Sequence, residues 1–559
     1  MAVSGEGWSG AGLGLAVSSD AAPLGGAMGI LTSNVDPSSP TFAANAAAQH
    51  AHLADLAHEV ATAVAGGGEK YQARHAARGK LGARERIELL LDAGSPFLEF
   101  STLAGYGSEF TVGGALVTGL GVVSGTECVI AANDPTVRGG SINPFGLRKH
   151  LRALEIAREN RLPVINLVES GGADLPTQAD LFIPAGQLFR DLTRLSALGI
   201  PTIALVFGNS TAGGAYVPGM CDYAVLVDRG AKVFLGGPPL VKMATGEESD
   251  DESLGGARMH ATISGLGDYF AVDEPDAIRI GREIVAGLHW RKQGPGPVTE
   301  PLEPREDPSE MLGIVSADLK VPFDPREVIA RLVDDSAFDE YKERYGTSLV
   351  CGWATLSGYK IGILANAHGV LFNEEARKGA AFISLANQRD TPLLFLHNTT
   401  GYMVGKEYEQ AGMVKDGAKM INAVANSTVP HLSVIMGSSY GAGNYGMCGR
   451  AFSPRFAFSW PGSKVAVMGP EQLAGVLSIV ARQSAASTGA PFDEDADARQ
   501  RGAIEAQIER EQHAFVMSGK LYDDGIIDPR DTRAVLSLCL SAIDGAPYEG
   551  RRGFGVFRF

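Results

Sequence analysis

This 559-residue chain lacks most of the features that assign a protein quickly. It has no Cys-x-x-Cys: Cys128, Cys221, Cys351, Cys448 and Cys539 stand far apart, which excludes a zinc ribbon and a disulfide framework and makes the cytoplasm the default compartment. Its eleven histidines include His50, His52 and His58 but form no His-Glu-x-x-His sequence, so no metal is expected. No apolar run reaches transmembrane length, and no membrane association is expected. Residues 1–42 contain no Lys or Arg and so lack the basic start of a secretory or mitochondrial signal; the Gly/Ala/Ser-rich stretch 1–43 reads as a disordered tail. Positive charge is scarce. Against 64 Asp plus Glu stand 48 Lys plus Arg, a net −16 with no long basic run, which argues against nucleic acid as a partner. An anionic small ligand stays compatible, because local lysines and helix N-termini can hold one against the global sign.

What the chain has is a duplication. Its length exceeds the roughly 250–300 residues at which single cores stop growing, and 45% hydrophobic with 20% charged residues describes a globular protein. Adding 229 to a residue number carries Pro201, Gly208, Ser210, Gly214 and Tyr216 to Pro430, Gly437, Ser439, Gly443 and Tyr445. The same offset carries Arg148-Lys149 to Arg377-Lys378, and Pro163 to Pro392. Two copies of one α/β unit are the simplest source. Leu53, Leu56, Val60 and Val64 recur at helical spacing and predict an N-terminal helical arm. Apolar strands alternating with helices predict a buried parallel sheet in each copy. The Pro-rich and charged stretch 292–308 reads as a linker between a first domain, 44–300 including the arm, and a second, 310–559.

Each Gly-rich turn follows a strand and precedes a helical stretch, so its backbone N–H groups can bind an oxyanion. A side chain at Gly213, Gly214, Ala442 or Gly443 larger than those present would keep a ligand oxygen from the peptide nitrogen. Glu169-Ser170-Gly171-Gly172-Ala173 and Asn398-Thr399-Thr400-Gly401-Tyr402, again 229 apart, follow apolar strands and can add a second donor to each site. Two oxyanion holes suggest a reaction between two carbonyl compounds. Two competing patterns match only the second copy. Gly441-Ala442-Gly443-Asn444-Tyr445-Gly446 fits a dinucleotide fingerprint without the acidic residue about 20 positions on. Gly437-Ser438-Ser439-Tyr440-Gly441 fits a nucleophile elbow with His513 as its base.

These residues, with Ala76-Ala77-Arg78-Gly79-Lys80-Leu81, Asn133-Asp134-Pro135-Thr136-Val137, Gly236-Gly237-Pro238-Pro239-Leu240-Val241-Lys242 and Asp523-Asp524-Gly525-Ile526-Ile527-Asp528-Pro529, closely resemble the carboxyltransferase (beta) subunits of biotin-dependent acyl-CoA carboxylases. Tyr440-Gly441-Ala442-Gly443-Asn444-Tyr445-Gly446-Met447-Cys448-Gly449-Arg450 looks like the methylcrotonyl-CoA/geranyl-CoA branch. The resemblance implies two tandem crotonase-like α/β domains (the ClpP/crotonase spiral). It implies that Ala173 and Gly214, with Gly213 shaping the turn, hold the thioester enolate oxygen. Tyr402 and Gly443, with Ala442, would hold the biotin ureido oxygen, and Arg138 and Lys149 are candidates for coenzyme A phosphates. Val241-Lys242-Met243 only partly matches a biotin-attachment sequence, so biotin and ATP chemistry are expected from an alpha subunit bearing biotin carboxylase and biotin carboxyl carrier functions. A homo-oligomer, typically a hexamer built as a trimer of dimers, is implied. The stretch between Gln178 and Gly199, which in the family helps to shape the acyl pocket, is shorter than the usual methylcrotonyl pattern. Acetyl- or propionyl-CoA remain alternative substrates, as does a decarboxylase running the transfer backwards.

Overall fold

The computed structural model describes residues 29–316, 318–553 and 555–556. The arm comprises α1 (Pro40–Ala65), α2 (Glu69–Ala76) and α3 (Ala83–Leu90). Ser39 caps α1 through its side chain, with Pro40 in the first turn where the missing N–H is no loss. Most of the expected tail, 1–28, lies outside the described residues. The rest corrects that expectation: β1 (Gly29–Ile30) pairs with Phe338 and Ala337, and α1 begins ahead of Ala44. The arm also reaches the second half. Asn45 Nδ2 donates to Gly313 O at 3.0 Å, and a Cβ on Gly313 would sit 2.2 Å from the Phe42 ring.

The first sheet contains β2 (Phe97–Phe100), β3 (Leu116–Val123), β4 (Thr126–Asn133), β5 (Val164–Ser170), β6 (Thr202–Thr211), β7 (Tyr223–Val227), β8 (Lys232–Phe234) and β9 (Tyr269–Ala271). β2, β3 and β4 are antiparallel, whereas β4, β5, β6 and β7 are parallel. Between them run α4 (Pro144–Asn160), capped by Asn143, and α5 (Gln178–Ala197).

The second sheet repeats the plan with β10 (Ala337–Glu340), β11 (Leu349–Leu356), β12 (Tyr359–Asn366), β13 (Gly369–Leu371), β14 (Leu393–Tyr402), β15 (His431–Tyr440), β16 (Phe456–Ser459) and β17 (Lys464–Ala466). Its parallel core is β12, β14, β15 and β16, and the helix Asn373–Gln388 stands where α4 stands in the first half. Residues 292–307 carry neither helix nor strand.

The parallel strands are apolar on both faces because both are covered. Ile203, Leu205 and Phe207 of β6 join the core beneath the helix Glu274–Gly287, while Ala204 and Val206 join another shared with Val434, Met436 and Trp460 of the second half. Across that junction Arg152, buried in α4, donates to both oxygens of buried Asp524 at 2.7 and 2.9 Å, and to the carbonyls of Pro454 and Arg455.

Candidate functional site

Both Gly-rich turns leave the sheet with the same backbone. β6 ends on extended Thr211, Ala212 turns to φ +53°, and a 3-10 turn (Ala212–Ala215) leads into α6 (Tyr216–Met220). β15 ends on extended Tyr440, Gly441 turns to φ +52°, and a helix (Gly441–Gly446) follows. Glycine takes that left-handed position freely, whereas Ala212 costs roughly 1–2 kcal/mol there. Neither N-cap residue, Thr211 or Tyr440, caps its turn with its side chain. Gly443 occupies the third position of its helix, where an amide has no partner behind it, and Gly214 is its counterpart.

Opposite each turn stands the second element. Gly172 has φ +90°, and its N–H is held by Ser170 Oγ at 3.2 Å; Gly401 has φ +119°, held by Thr399 Oγ1 at 3.1 Å. Ile142 N–H donates to Gly172 O and its carbonyl accepts from Asp174 N, so the Ala173 N–H points away from Ile142 toward the first turn. Tyr402 stands in the same register to Leu371, with Met403 N–H on Leu371 O. A Cβ on Gly214 would lie 3.9 Å from Gly172 Cα, and one on Gly443 only 2.9 Å from Gly401 Cα. Each half thus brings together the segments that sequence paired, Ala173 with Gly213 and Gly214, and Tyr402 with Ala442 and Gly443.

Behind the first element lies an ion cluster that motif reading passed over. Glu169 accepts Lys80 Nζ at 2.5 Å and Arg86 Nη2 at 2.7 Å; buried Arg86 also donates to Glu274 at 2.8 and 2.9 Å and lies over the Phe207 ring. Burial would raise the Glu169 carboxyl, but Arg86 and Lys80 outweigh it and hold it below the ordinary value. The counterpart in the second half is neutral Asn398, which accepts Ser438 N–H at 3.2 Å. Lys80 and Arg86 fall in or beside the Arg78-Gly79-Lys80-Leu81 segment, but nothing in their spacing announces a partner 83 or 89 residues away.

The two phosphate candidates part company. Arg138 is exposed beside the first element and pairs with Asp174 at 2.9 Å. Lys149 is buried, 1% exposed, and its Nζ has no partner among the described residues. Its helix is covered by β3 and β4 as well as by α5, so Lys149 cannot meet a phosphate in solvent, and that assignment is corrected. Burial pulls its ammonium down to about 8, Glu99 opposing.

The competing motifs also resolve. Ser439 is buried, with its Oγ on His397 Nδ1 at 3.0 Å and Asn444 Nδ2 at 2.8 Å, while His513 accepts Phe515 N–H at the start of another helix. No Ser439–His513 pair exists. The three glycines of the fingerprint serve the turn: Gly441 by its φ, Gly443 by its approach to Gly401, and Gly446 by leaving room for the Tyr402 ring, whose hydroxyl would be 2.2 Å from a Cβ there. That phenol is buried without a hydrogen-bond partner among the described residues, and burial raises it above the ordinary value. No cluster of three or more metal-ligating side chains occurs among the described residues, nor any helix long and apolar enough to cross a membrane.

A carboxyl transferase domain model matches residues 74–551. The chain is 66% identical over 531 residues to a probable biotin-dependent acyl-coenzyme A carboxylase beta2 subunit of Mycobacterium tuberculosis, covering 95% of this chain and all of the relative. It is 50% identical to the mitochondrial methylcrotonoyl-CoA carboxylase beta chain of Dictyostelium discoideum, covering 95% and 91% of the two chains. Among solved structures, the beta subunit of Pseudomonas aeruginosa geranyl-CoA carboxylase superposes with a TM-score of 0.86 at 42% identity, covering 95% of this chain and all of that one. Sequence and fold agree over nearly the whole length, and the chain belongs to the carboxyl transferase domain family, among the beta subunits of biotin-dependent acyl-CoA carboxylases.

Proposed function

We propose that this carboxyltransferase moves CO2 from carboxybiotin onto an acyl- or enoyl-CoA, with a 3-methylcrotonyl-CoA-like substrate favoured, and that its two turns divide the work. The N–H groups of Ala173 and Gly214 donate to the thioester oxygen as it takes on enolate charge. Those of Tyr402 and Gly443 donate to the ureido oxygen of biotin. Biotin, carried by an alpha subunit that also bears the ATP-dependent carboxylase, supplies the CO2 and accepts the substrate proton, so no side-chain base is needed. The donor chemistry fits: uncapped first-turn amides stabilise an oxygen that gains charge, and each such donor is worth on the order of 100- to 1,000-fold in turnover.

The observation that carries this reading is the shared backbone of the two turns, left-handed at Ala212 and Gly441 and faced by Gly172 and Gly401. We place the first half of one subunit against the second half of another, in dimers assembled as a hexamer. Exposed Phe182 and Ile183 on α5, and Val476, Ile479 and Val480 on the helix Pro470–Thr488, support such a covered surface. Five free cysteines accord with a reducing compartment such as the cytoplasm.

The test is reconstitution with a biotinylated alpha subunit and comparison of kcat/KM for methylcrotonyl-, geranyl-, propionyl- and acetyl-CoA. ATP-dependent bicarbonate fixation by this chain alone would overturn the division of labour. A clear preference for acetyl- or propionyl-CoA would overturn the substrate.

A further inference from the structure

The turn 520–525 stitches the two halves together. From the first half, Ser101 N–H donates to Asp524 O at 2.7 Å and Gly105 N–H to Gly519 O at 2.9 Å. In the second half, Asp524 N–H donates to Ala457 O at 2.6 Å and Ser459 N–H to Gly525 O at 3.1 Å, so β16 holds the other side. The seam leaves no room for a side chain at Gly519, where a Cβ would lie 2.7 Å from Tyr106 O. Asp523 sits within this turn, 1% exposed, and neither of its carboxylate oxygens has a hydrogen-bond partner among the described residues. Two buried hydroxyls of the same stitched segments are also unpartnered, Ser518 Oγ on the helix Ala514–Gly519 and Ser101 Oγ after β2.

Charge makes the orphan carboxylate costly. Its neighbour Asp524 is met by Arg152 at 2.7 Å and Arg450 at 3.4 Å, and Glu155 shares the same two guanidinium groups at 2.8 and 3.9 Å. Two positive charges therefore face three negative ones, Asp523, Asp524 and Glu155, and one negative charge is left over in the interior, where an unpaired carboxylate is strongly disfavoured. Burial pushes the Asp523 carboxyl up to about 6, opposed by the hydroxyls of Ser459 and Ser518, so at neutral pH the group is still mainly ionised. Those hydroxyls lie near enough to favour the charge but do not meet it in hydrogen-bond geometry. A water molecule would satisfy oxygens and cancel no charge. A divalent ion would overshoot the surplus, and no group of three Asp, Glu, His or Cys side chains gathers to hold one among the described residues.

From this we infer that one alkali metal cation, sodium or potassium, binds Asp523 at the seam between the halves, with the hydroxyls of Ser459 and Ser518 as further oxygen ligands. A single positive charge matches the surplus, and a hard cation takes oxygen donors. The ion belongs to the junction: it ties the turn 520–525 to β16 and to the helix Ala514–Gly519, and through the Ser101 and Gly105 amides to the first half. Because the site exists only in the folded chain, the cation stabilises the fold as its concentration rises.

The experiment compares unfolding midpoints of the full-length chain in potassium, sodium and tetramethylammonium chloride at equal ionic strength, for wild type and for Asp523→Asn. Equal ionic strength cancels the general screening that any salt gives a chain of net charge −16. The expected wild-type midpoint is about 2 °C higher in potassium or sodium chloride than in tetramethylammonium chloride, whose cation is too large to enter. In Asp523→Asn, which keeps the shape and removes the charge, that difference disappears. Equal wild-type midpoints in all three salts overturn the site and make a proton the neutralising charge, and a difference that persists in Asp523→Asn overturns it as well. Equilibrium dialysis of wild type against radioactive sodium and rubidium, in a large excess of tetramethylammonium chloride, decides the matter even where Asp523→Asn fails to fold. Retention of about one ion per chain supports the site, and no retention above the surrounding solution overturns it.

Discussion

A Cβ on Gly208 would lie 2.5 Å from the carboxyl carbon of Glu169 on the neighbouring strand. The missing side chain lets that carboxylate cross β6 to reach Lys80 and Arg86, so the strand that ends at the first oxyanion element is tied to the arm. Glu169→Gln removes a charge that two cations face, although Arg86 keeps Glu274 and Lys80 keeps Phe207 O. A loss of about 2–4 kcal/mol is expected, seen as a lower unfolding temperature. The wild-type contribution is present above the unfolded carboxyl value and fades as pH falls through the depressed folded one, so the gap between variant and wild type should close in acid. Equal unfolding temperatures at pH 7 would show that the cluster contributes nothing.

The Tyr402 phenol is buried without a hydrogen-bond partner among the described residues, while the assigned role of Tyr402 uses only its backbone N–H. Tyr402→Phe should therefore leave carboxylation within about twofold. It should stabilise the fold by on the order of 1 kcal/mol, since an unsatisfied buried hydroxyl is lost. A tenfold fall in kcat would mean the hydroxyl meets a reactant.

Lys149 gives a prediction with a defined pH window. The unfolded chain keeps its proton up to about 10.5 while the folded one gives it up near 8, so the unfolded state binds more protons between those values. The penalty on the fold is complete below pH 8 and fades as pH rises toward 10.5. Lys149→Met should raise the unfolding temperature at pH 7, a gain on the order of 1–4 kcal/mol, and gain less at pH 10. An unfolding temperature at pH 7 no higher than that of wild type would show that the buried ammonium costs the fold nothing.

The duplication was legible in sequence because the same steric demand falls twice. Both turns need a left-handed residue followed by small ones, and Ala212 with Gly441 preserve that spacing. The paired elements at Ala173 and Tyr402 were legible for the same reason. Burial of Lys149 was not, because its helix is covered on opposite sides and charge pattern alone reads as surface. Strand β1 is two residues long, too short for any alternation to show. The Glu169 cluster depends on contacts between segments far apart in the chain, which periodicity cannot report.

The sharpest prediction separates the two turns that look alike. A methyl group on Gly443 would lie 2.8 Å from Thr399 Oγ1 and 2.9 Å from Gly401 Cα, so the backbone must shift and carry its amide away from the assigned oxygen. A methyl on Gly214 meets nothing nearer than 3.9 Å. Gly443→Ala should thus lower carboxylation by on the order of 100- to 1,000-fold, the cost of one misplaced oxyanion donor, whereas Gly214→Ala leaves its backbone in place and acts only by crowding the bound oxygen, so its loss should be the smaller of the two. Proline removes the N–H itself. Gly214→Pro should abolish carboxylation of acyl-CoA yet spare the slow decarboxylation of carboxybiotin, which needs only the second turn, while Gly443→Pro should impair both. The measurement is the rate of each partial reaction in the assembled holoenzyme, with assembly checked by sedimentation. A correctly assembled Gly443→Pro enzyme with wild-type carboxylation would remove biotin from the second turn.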